Sequence, residues 1–282
     1  MIDILQAIIL GLIQGIAAWI PISSKTQVIL VGKLFFDLDF QTALSFALLV
    51  HVGDLLATLY LFRQEILGFL HIRPSIADLM EMEKADPERN LFWFVVISVF
   101  FSGIVGLPLY LLTKKGFSDL PGALFLAVVG GTLVLLGIIM WVSSRNASNK
   151  WRDPELKKRI TFTDTIISGC AQGLAVMPGI SRSGMTESTL LLRGYTPHEA
   201  IRLSFFMSIP MITLSIATFF LLEGFGSITP MVAIAGICAS FIASFTMMNF
   251  MLMITEKVKF YYFNIAIGLL AMTPFIIQII FL

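Results

Sequence analysis

The chain has 282 residues, of which 57% are hydrophobic and only 13% charged, with a mean hydropathy of +0.90 and a formal net charge of +1. A soluble domain of average make-up carries about 45–50% apolar and about 25% charged residues, so this composition excludes one and indicates an integral membrane protein. Nothing in so neutral a charge balance points to nucleic acid, and two isolated cysteines, Cys170 and Cys238, read as small buried residues rather than as a disulfide or metal site.

Taken in order, the start Met-Ile-Asp-Ile-Leu-Gln lacks the basic region of a signal peptide and is expected to remain in the mature protein. Residues 4–20 are apolar but broken at Pro21-Ile22-Ser23-Ser24, after which Lys25 to Phe36 predicts a second short helix; each half falls short of the roughly 20 residues that cross a bilayer. The first full span is 42–62, carrying His51 and Asp54. Residues 63–90 form a polar loop with some amphipathic helix. Spans follow at 91–113 and 121–143, then a basic loop at 144–161.

A second broken segment occupies 162–194. Pro178 stops the arriving helix, Gly179 permits a reversal, and Ser181 caps a new helix from Arg182 to Leu192. The fresh N-terminus, with the Ser181 and Ser183 hydroxyls and the Arg182 guanidinium, is a candidate cradle for phosphate. Three more spans are expected at 200–222, 229–254 and 260–281. The prediction is an all-α membrane domain of six spans and two helical hairpins.

The hairpins read as copies. Gly11, Gln14, Gly15 and Ala17 recur as Gly169, Gln172, Gly173 and Ala175; Pro21, Ser24 and Lys25 recur as Pro178, Ser181 and Arg182; Leu44-Ser45-Phe46 recurs as Leu203-Ser204-Phe205. The separations are 158, 157 and 159 residues, and the three spans between the copies force opposite insertion. The repeat halves are about 1–113 and 160–254. Broken helices of such a plan meet near the bilayer midplane and line a site. Fourteen of the nineteen Lys and Arg residues fall in the loops 63–90, 144–161, 193–202 and 255–259, which places these loops in the cytoplasm and both termini outside.

Gly11 to Ser24, His-Val-Gly-Asp-Leu-Leu-Ala at 51–57 and Pro-Gly-Ile-Ser-Arg-Ser-Gly-Met-Thr at 178–186 together resemble the signature blocks of the bacitracin-resistance undecaprenyl-diphosphatase family. The resemblance covers nearly the whole chain. It implies six spans with two re-entrant hairpins in inverted repeat, often a homodimer in the cell membrane, and hydrolysis of undecaprenyl diphosphate to the monophosphate carrier. Ser23, Ser24, Ser181, Arg182, Ser183 and Thr186 match the family's blocks. The family's two first-block glutamates are replaced by Gln14 and Ala18, and its histidine after the serines by Gln27. Mg2+ or Ca2+, implied by the family, would therefore lack its usual carboxylate ligands here.

The candidate catalytic residues are Arg182, Ser24, Ser181, Ser183 and Thr186. Candidate phosphate ligands are Ser23, Lys25, Gln14, Gly179 and Gln27. Asp54, His51 and Glu187 are the candidate replacement acids or bases, with Asp54 and Glu187 taken as the only acids within spans or hairpins. Glu187 is expected to reach the Ser183 hydroxyl or to compensate Lys25, and Gln14 and Gln172 to stitch the hairpins together. Two readings stay open: a polyprenyl diphosphate phosphatase, and a non-enzymatic polyprenyl-phosphate binder or flippase that has lost the acids.

Overall fold

The computed structural model describes residues 2–20, 22–69, 71–73, 75–82, 84–117, 122–150, 159–177, 180–218, 220–221, 228–254 and 260–281. Twelve helices run through them: α1 (Ile4–Ala17), α2 (Ser24–Phe35), α3 (Phe40–Leu61), α4 (Arg63–Phe69), α5 (Ile76–Met80), α6 (Pro87–Phe117), α7 (Gly122–Lys150), α8 (Phe162–Leu174), α9 (Arg182–Leu192), α10 (Pro197–Thr218), α11 (Pro230–Ile254) and α12 (Phe260–Phe281). Among the described residues, α3, α6, α7, α10 and α11 contain five stretches long and apolar enough to cross a membrane, and α12 adds the shorter apolar run Asn264–Ile279. Phe100 and Leu107 of α6, Ile234 and Met253 of α11 and Leu269 of α12 stay exposed, as lipid-facing side chains do. Cys238 is among the exposed positions and Cys170 is half-buried, so the expected burial of both cysteines does not hold.

The helix starts follow the sequence chemistry. Asp3 and Gln6 form a reciprocal cap on α1, with Gln6 N donating to Asp3 Oδ1 at 2.8 Å and Asp3 N to Gln6 Oε1 at 3.1 Å. Asp39 caps α3 through Thr42, whose hydroxyl and N–H hold the Asp39 carboxyl below its usual range. Within 63–90 lie the short helices α4 and α5, and α6 already begins at Pro87.

The chain folds into two compact units: residues 1–67 with 205–254, and residues 68–204 with 255–282. In the first unit α1 lies against α11 and α3, and α2 folds back on both α1 and α3. Its core gathers Ala7, Leu10, Val28, Phe46, Ala47, Leu49 and Val232. Gly15 and Gly53 let α1 and α3 sit directly on the α11 backbone: a Cβ on Gly15 would lie 2.5 Å from Ser240 O, and one on Gly53 2.5 Å from Ile237 O. Trp19, just past α1, is fully buried with its ring edge-on to Phe205 at 4.7 Å.

In the second unit α8 lies against α6, α9 against both α7 and α8, and α12 along α7. The α6–α8 approach uses Gly169 and Gly173, where an added Cβ would meet Ser98 O at 2.5 Å and Ser102 O at 2.9 Å. Leu136, Ala171 and Met185 fill the space where α7, α8 and α9 meet. α9 ends in the left-handed turn for which glycine is suited: Gly194 has φ 90°, its N–H donates to Leu191 O, and Tyr195 N donates to Leu190 O.

Candidate functional site

In the first unit, four residues singled out from the sequence come together around one amide. Gln14, buried on α1, directs its Nε2 at Asp54 Oδ2 (2.9 Å), at Ser24 Oγ (3.2 Å) and at His51 Nε2 (3.5 Å). Ser24 opens α2, while His51 and Asp54 lie on one face of α3, three residues apart. His51 Nδ1 is 2.6 Å from Ala47 O; a carbonyl only accepts, so Nδ1 carries the proton and, in the neutral ring, Nε2 keeps a lone pair. Asp54 is wholly buried, and Ser240 and Ser244 of α11 both donate to its Oδ1, at 2.8 and 2.5 Å. The Thr58 hydroxyl donates to Asp54 O one turn further along. Gln14 Oε1 is buried without a hydrogen-bond partner.

Ser23 stands at the N-cap of α2, its hydroxyl accepting from Thr26 at 2.9 Å rather than from a backbone N–H. Lys25 and Gln27 are half-buried in the first turns of α2, and Gln27 takes no part in the Gln14 hydrogen bonds.

In the second unit, Ser181 caps α9 as expected, accepting from Gly184 N at 3.4 Å, and its hydroxyl pairs with that of Ser183 at 3.1 Å. Arg182 is the first residue of α9, partly exposed, and its charge acts on Glu187. Pro178 and Gly179 lie outside the described residues, so the expected Gly179 contact has no structural counterpart here. Thr186 is fully buried: its hydroxyl sits 3.0 Å from Arg182 O, 3.1 Å from Ser183 O and 2.6 Å from Ser204 Oγ, which commits it to packing α9 on α10.

Three expectations change. The bonds that Gln14 and Gln172 make lie within their own units, that of Gln172 through the hydroxyl of Ser102 on α6 at 2.9 Å. Ser183 turns to Ser181, and the buried Glu187 Oε1 has no hydrogen-bond partner. Asp54 and Glu187 are not the only acids inside: Asp164, in the first turn of α8, is wholly buried, taking Arg193 Nε at 2.5 Å and the Tyr195 hydroxyl at 2.8 Å. Burial first, and the Asp164 charge second, push the Tyr195 phenol far above its ordinary range, so it stays a donor. Ser240 and Ser244 were missed as well, although two hydroxyls four residues apart on one helix face of a span were a visible signal.

A divalent cation of the Mg2+ or Ca2+ type needs several hard oxygens. The cluster offers the open Gln14 Oε1 and a single carboxylate, Asp54, both of whose oxygens already accept hydrogen bonds. No group of three or more His, Cys, Asp or Glu residues suited to a metal occurs among the described residues. The side chains present do not fit such an ion.

Both hairpin helices begin with hydroxyls and a cation, Ser23-Ser24-Lys25 and Ser181-Arg182-Ser183, and neither has an acid in its first turn. A cation at this end of a helix faces the positive pole of the dipole, an arrangement that an anion relieves. Among the described residues, five stretches of membrane-crossing length define a multi-pass membrane protein, and the short helices α2 and α9 add helix starts of a kind that suits an anion. The chain belongs to the family described as bacitracin resistance protein BacA, whose model matches residues 7–273. It is 42% identical over 208 residues to an undecaprenyl-diphosphatase of Saccharolobus solfataricus, covering 73% of this chain and 70% of that protein. Two further proteins of that name are similar over nearly their whole length. That of Methanococcoides burtonii is 35% identical over 274 residues, 96% of this chain and 98% of the relative. That of Haloarcula marismortui is 33% identical over 258 residues, 92% of each.

Proposed function

We propose that this protein is a polyprenyl diphosphate phosphatase that converts undecaprenyl diphosphate to the monophosphate and inorganic phosphate. The observation that carries the reading is the meeting of Ser24 and His51 on the Gln14 amide, with Asp54 behind it. Ser24 Oγ attacks the terminal phosphorus, the bond from that phosphorus to the bridging oxygen breaks, and the bridging oxygen leaves on the lipid monophosphate. The Ser24 proton passes to His51 Nε2, the ring nitrogen with the lone pair. Water then cleaves the phosphoserine, releasing inorganic phosphate and restoring the serine. Lys25, in the first turn of α2, holds phosphate oxygens and offsets the charge of the transition state, a role that Arg182 shares by its match to the family's Pro-Gly-Ile-Ser-Arg-Ser-Gly block.

The architecture proposed with it is six spans and two re-entrant hairpins in inverted repeat, in the cell membrane, with both termini outside. It is supported by the matched sequence blocks and by the like construction of α1–α2 and α8–α9: a glycine-faced arm of 14 or 13 residues, then a helix of 12 or 11 with a serine at its N-cap position.

A second reading, a polyprenyl-phosphate binder or flippase, is favoured by one feature: both Asp54 oxygens are engaged in holding neighbouring side chains. Purified protein given undecaprenyl diphosphate, with and without Mg2+ or Ca2+, separates the two. Phosphate release that is lost in Ser24→Ala and Arg182→Ala supports the phosphatase. Tight lipid binding without release in the parent protein supports the binder.

A further inference from the structure

We infer that Asp54, Ser240 and Ser244 are positioning residues that set the Gln14 amide, and through it the Ser24 hydroxyl, for the reaction. The inference rests on the phosphatase reading.

An amide side chain has two faces of opposite hydrogen-bonding sense, and rotation by half a turn exchanges them at little steric cost. What fixes the Gln14 amide is its neighbour: a carboxylate only accepts, so Asp54 Oδ2 at 2.9 Å demands the N–H side. Asp54 in turn is fixed by α11. Ser240 and Ser244, four residues apart on one helix face, both donate to Oδ1, which leaves Oδ2 turned to Gln14. Gly15 and Gly53 make this reach possible, because Gly15 brings α1 onto α11 at Ser240 and Ser244, and Gly53 brings α3 onto it at Ile237 and Ser240.

The consequence falls on Ser24. With Nε2 directed at it from 3.2 Å, Ser24 Oγ receives a hydrogen on one lone pair, so its own O–H points away from Gln14. His51 Nε2, which has the lone pair to take that proton, lies 3.5 Å from the same nitrogen. Were the amide reversed, Oε1 would compete with His51 for the Ser24 proton. The chain from α11 to Ser24 therefore decides whether the serine hydrogen is offered to the imidazole or to the amide.

The test uses two sets of variants in the full-length protein, with turnover of undecaprenyl diphosphate and thermal unfolding in detergent measured side by side. Asp54→Asn keeps shape and an acceptor for the α11 serines but can present N–H to Gln14, which then favours the reversed amide. The expected result is a kcat lowered at least about tenfold, the worth of one hydrogen bond of roughly 1.4 kcal/mol in the transition state, with KM within about twofold. Ser240→Ala/Ser244→Ala is expected to lower kcat by a similar factor, and Ser240→Thr/Ser244→Thr, which keeps both hydroxyls, to restore most of it. Should a variant not fold, the unfolding trace reports it and the remaining variant carries the test. Folded Asp54→Asn or double-alanine protein with the parent's kcat overturns the inference while leaving the phosphatase reading intact. A parent protein that releases no phosphate removes the phosphatase reading first.

Discussion

Gly15→Ala is the sharpest probe of the packing that carries the site. The new Cβ would lie 2.5 Å from Ser240 O, 2.7 Å from the Ala243 Cβ and 2.8 Å from Ser244 N, all on α11 and two of them backbone atoms that no rotamer change can move. Relief to an ordinary contact of about 3.5 Å requires α1 and α11 to part by roughly 1 Å, a displacement with the character of overpacking that costs about 1–3 kcal/mol. The same displacement puts at risk the 2.9 Å bond from Gln14 on α1 to Asp54 and the 3.4 Å bond from Ser244 to Gly15 O. One methyl group should thus lower both unfolding temperature and turnover. Gly103→Ala is the control, because an added Cβ there meets nothing within 4 Å and alanine is the better helix former. Detergent-solubilised protein followed by intrinsic fluorescence on heating, with phosphate release assayed below the transition, reads both effects. Equal unfolding temperatures for Gly15→Ala and Gly103→Ala would refute the close approach of α1 to α11.

Arg182→Ala should lower kcat by about 10²–10³, the usual worth of one charge-stabilising group, whereas Arg182→Lys should recover only part because a single ammonium cannot grip two oxygens; kinetics on both variants decide this. Arg193→Ala leaves the Asp164 carboxylate buried with the Tyr195 hydroxyl, and should destabilise by about 3 kcal/mol, the low end for a buried pair since Arg193 is partly exposed; an unchanged melting curve contradicts it. Gln14→Glu sets a second carboxylate against Asp54, so its stability and activity should become dependent on added Ca2+ or Mg2+, which differential scanning with and without EDTA detects. Reporter fusions should place both termini outside, and a cytoplasmic signal from either end contradicts the proposed topology.

Much of the scaffold was legible because membrane spans announce themselves by length and apolarity, and because caps are local. Ser181 and the bounds of α9 followed from a serine after Pro-Gly, and the two short arms from polar breaks at Ser23-Ser24 and at 178–181. What escaped depends on which helix packs on which. Ser240 and Ser244 lie 186 and 190 residues from Asp54, and only the glycine-mediated approach of α1 and α3 to α11 turns those hydroxyls into its donors. The same holds for Asp164, whose carboxylate gains Tyr195, and with it Arg193, only through the Gly194 turn. The bonds of Gln14 to Asp54 and His51 escaped too, since its spacing within α1 says nothing of the face that α3 presents.

The phosphoserine at Ser24 is the intermediate that sets this mechanism apart from direct attack by water. Purified protein mixed with undecaprenyl diphosphate labelled in its terminal phosphate, quenched in acid within a turnover and digested, should yield label on the peptide containing Ser24, and that label should pass to inorganic phosphate on longer incubation. Turnover at the parent rate with no labelled Ser24 peptide at any quench time would contradict it.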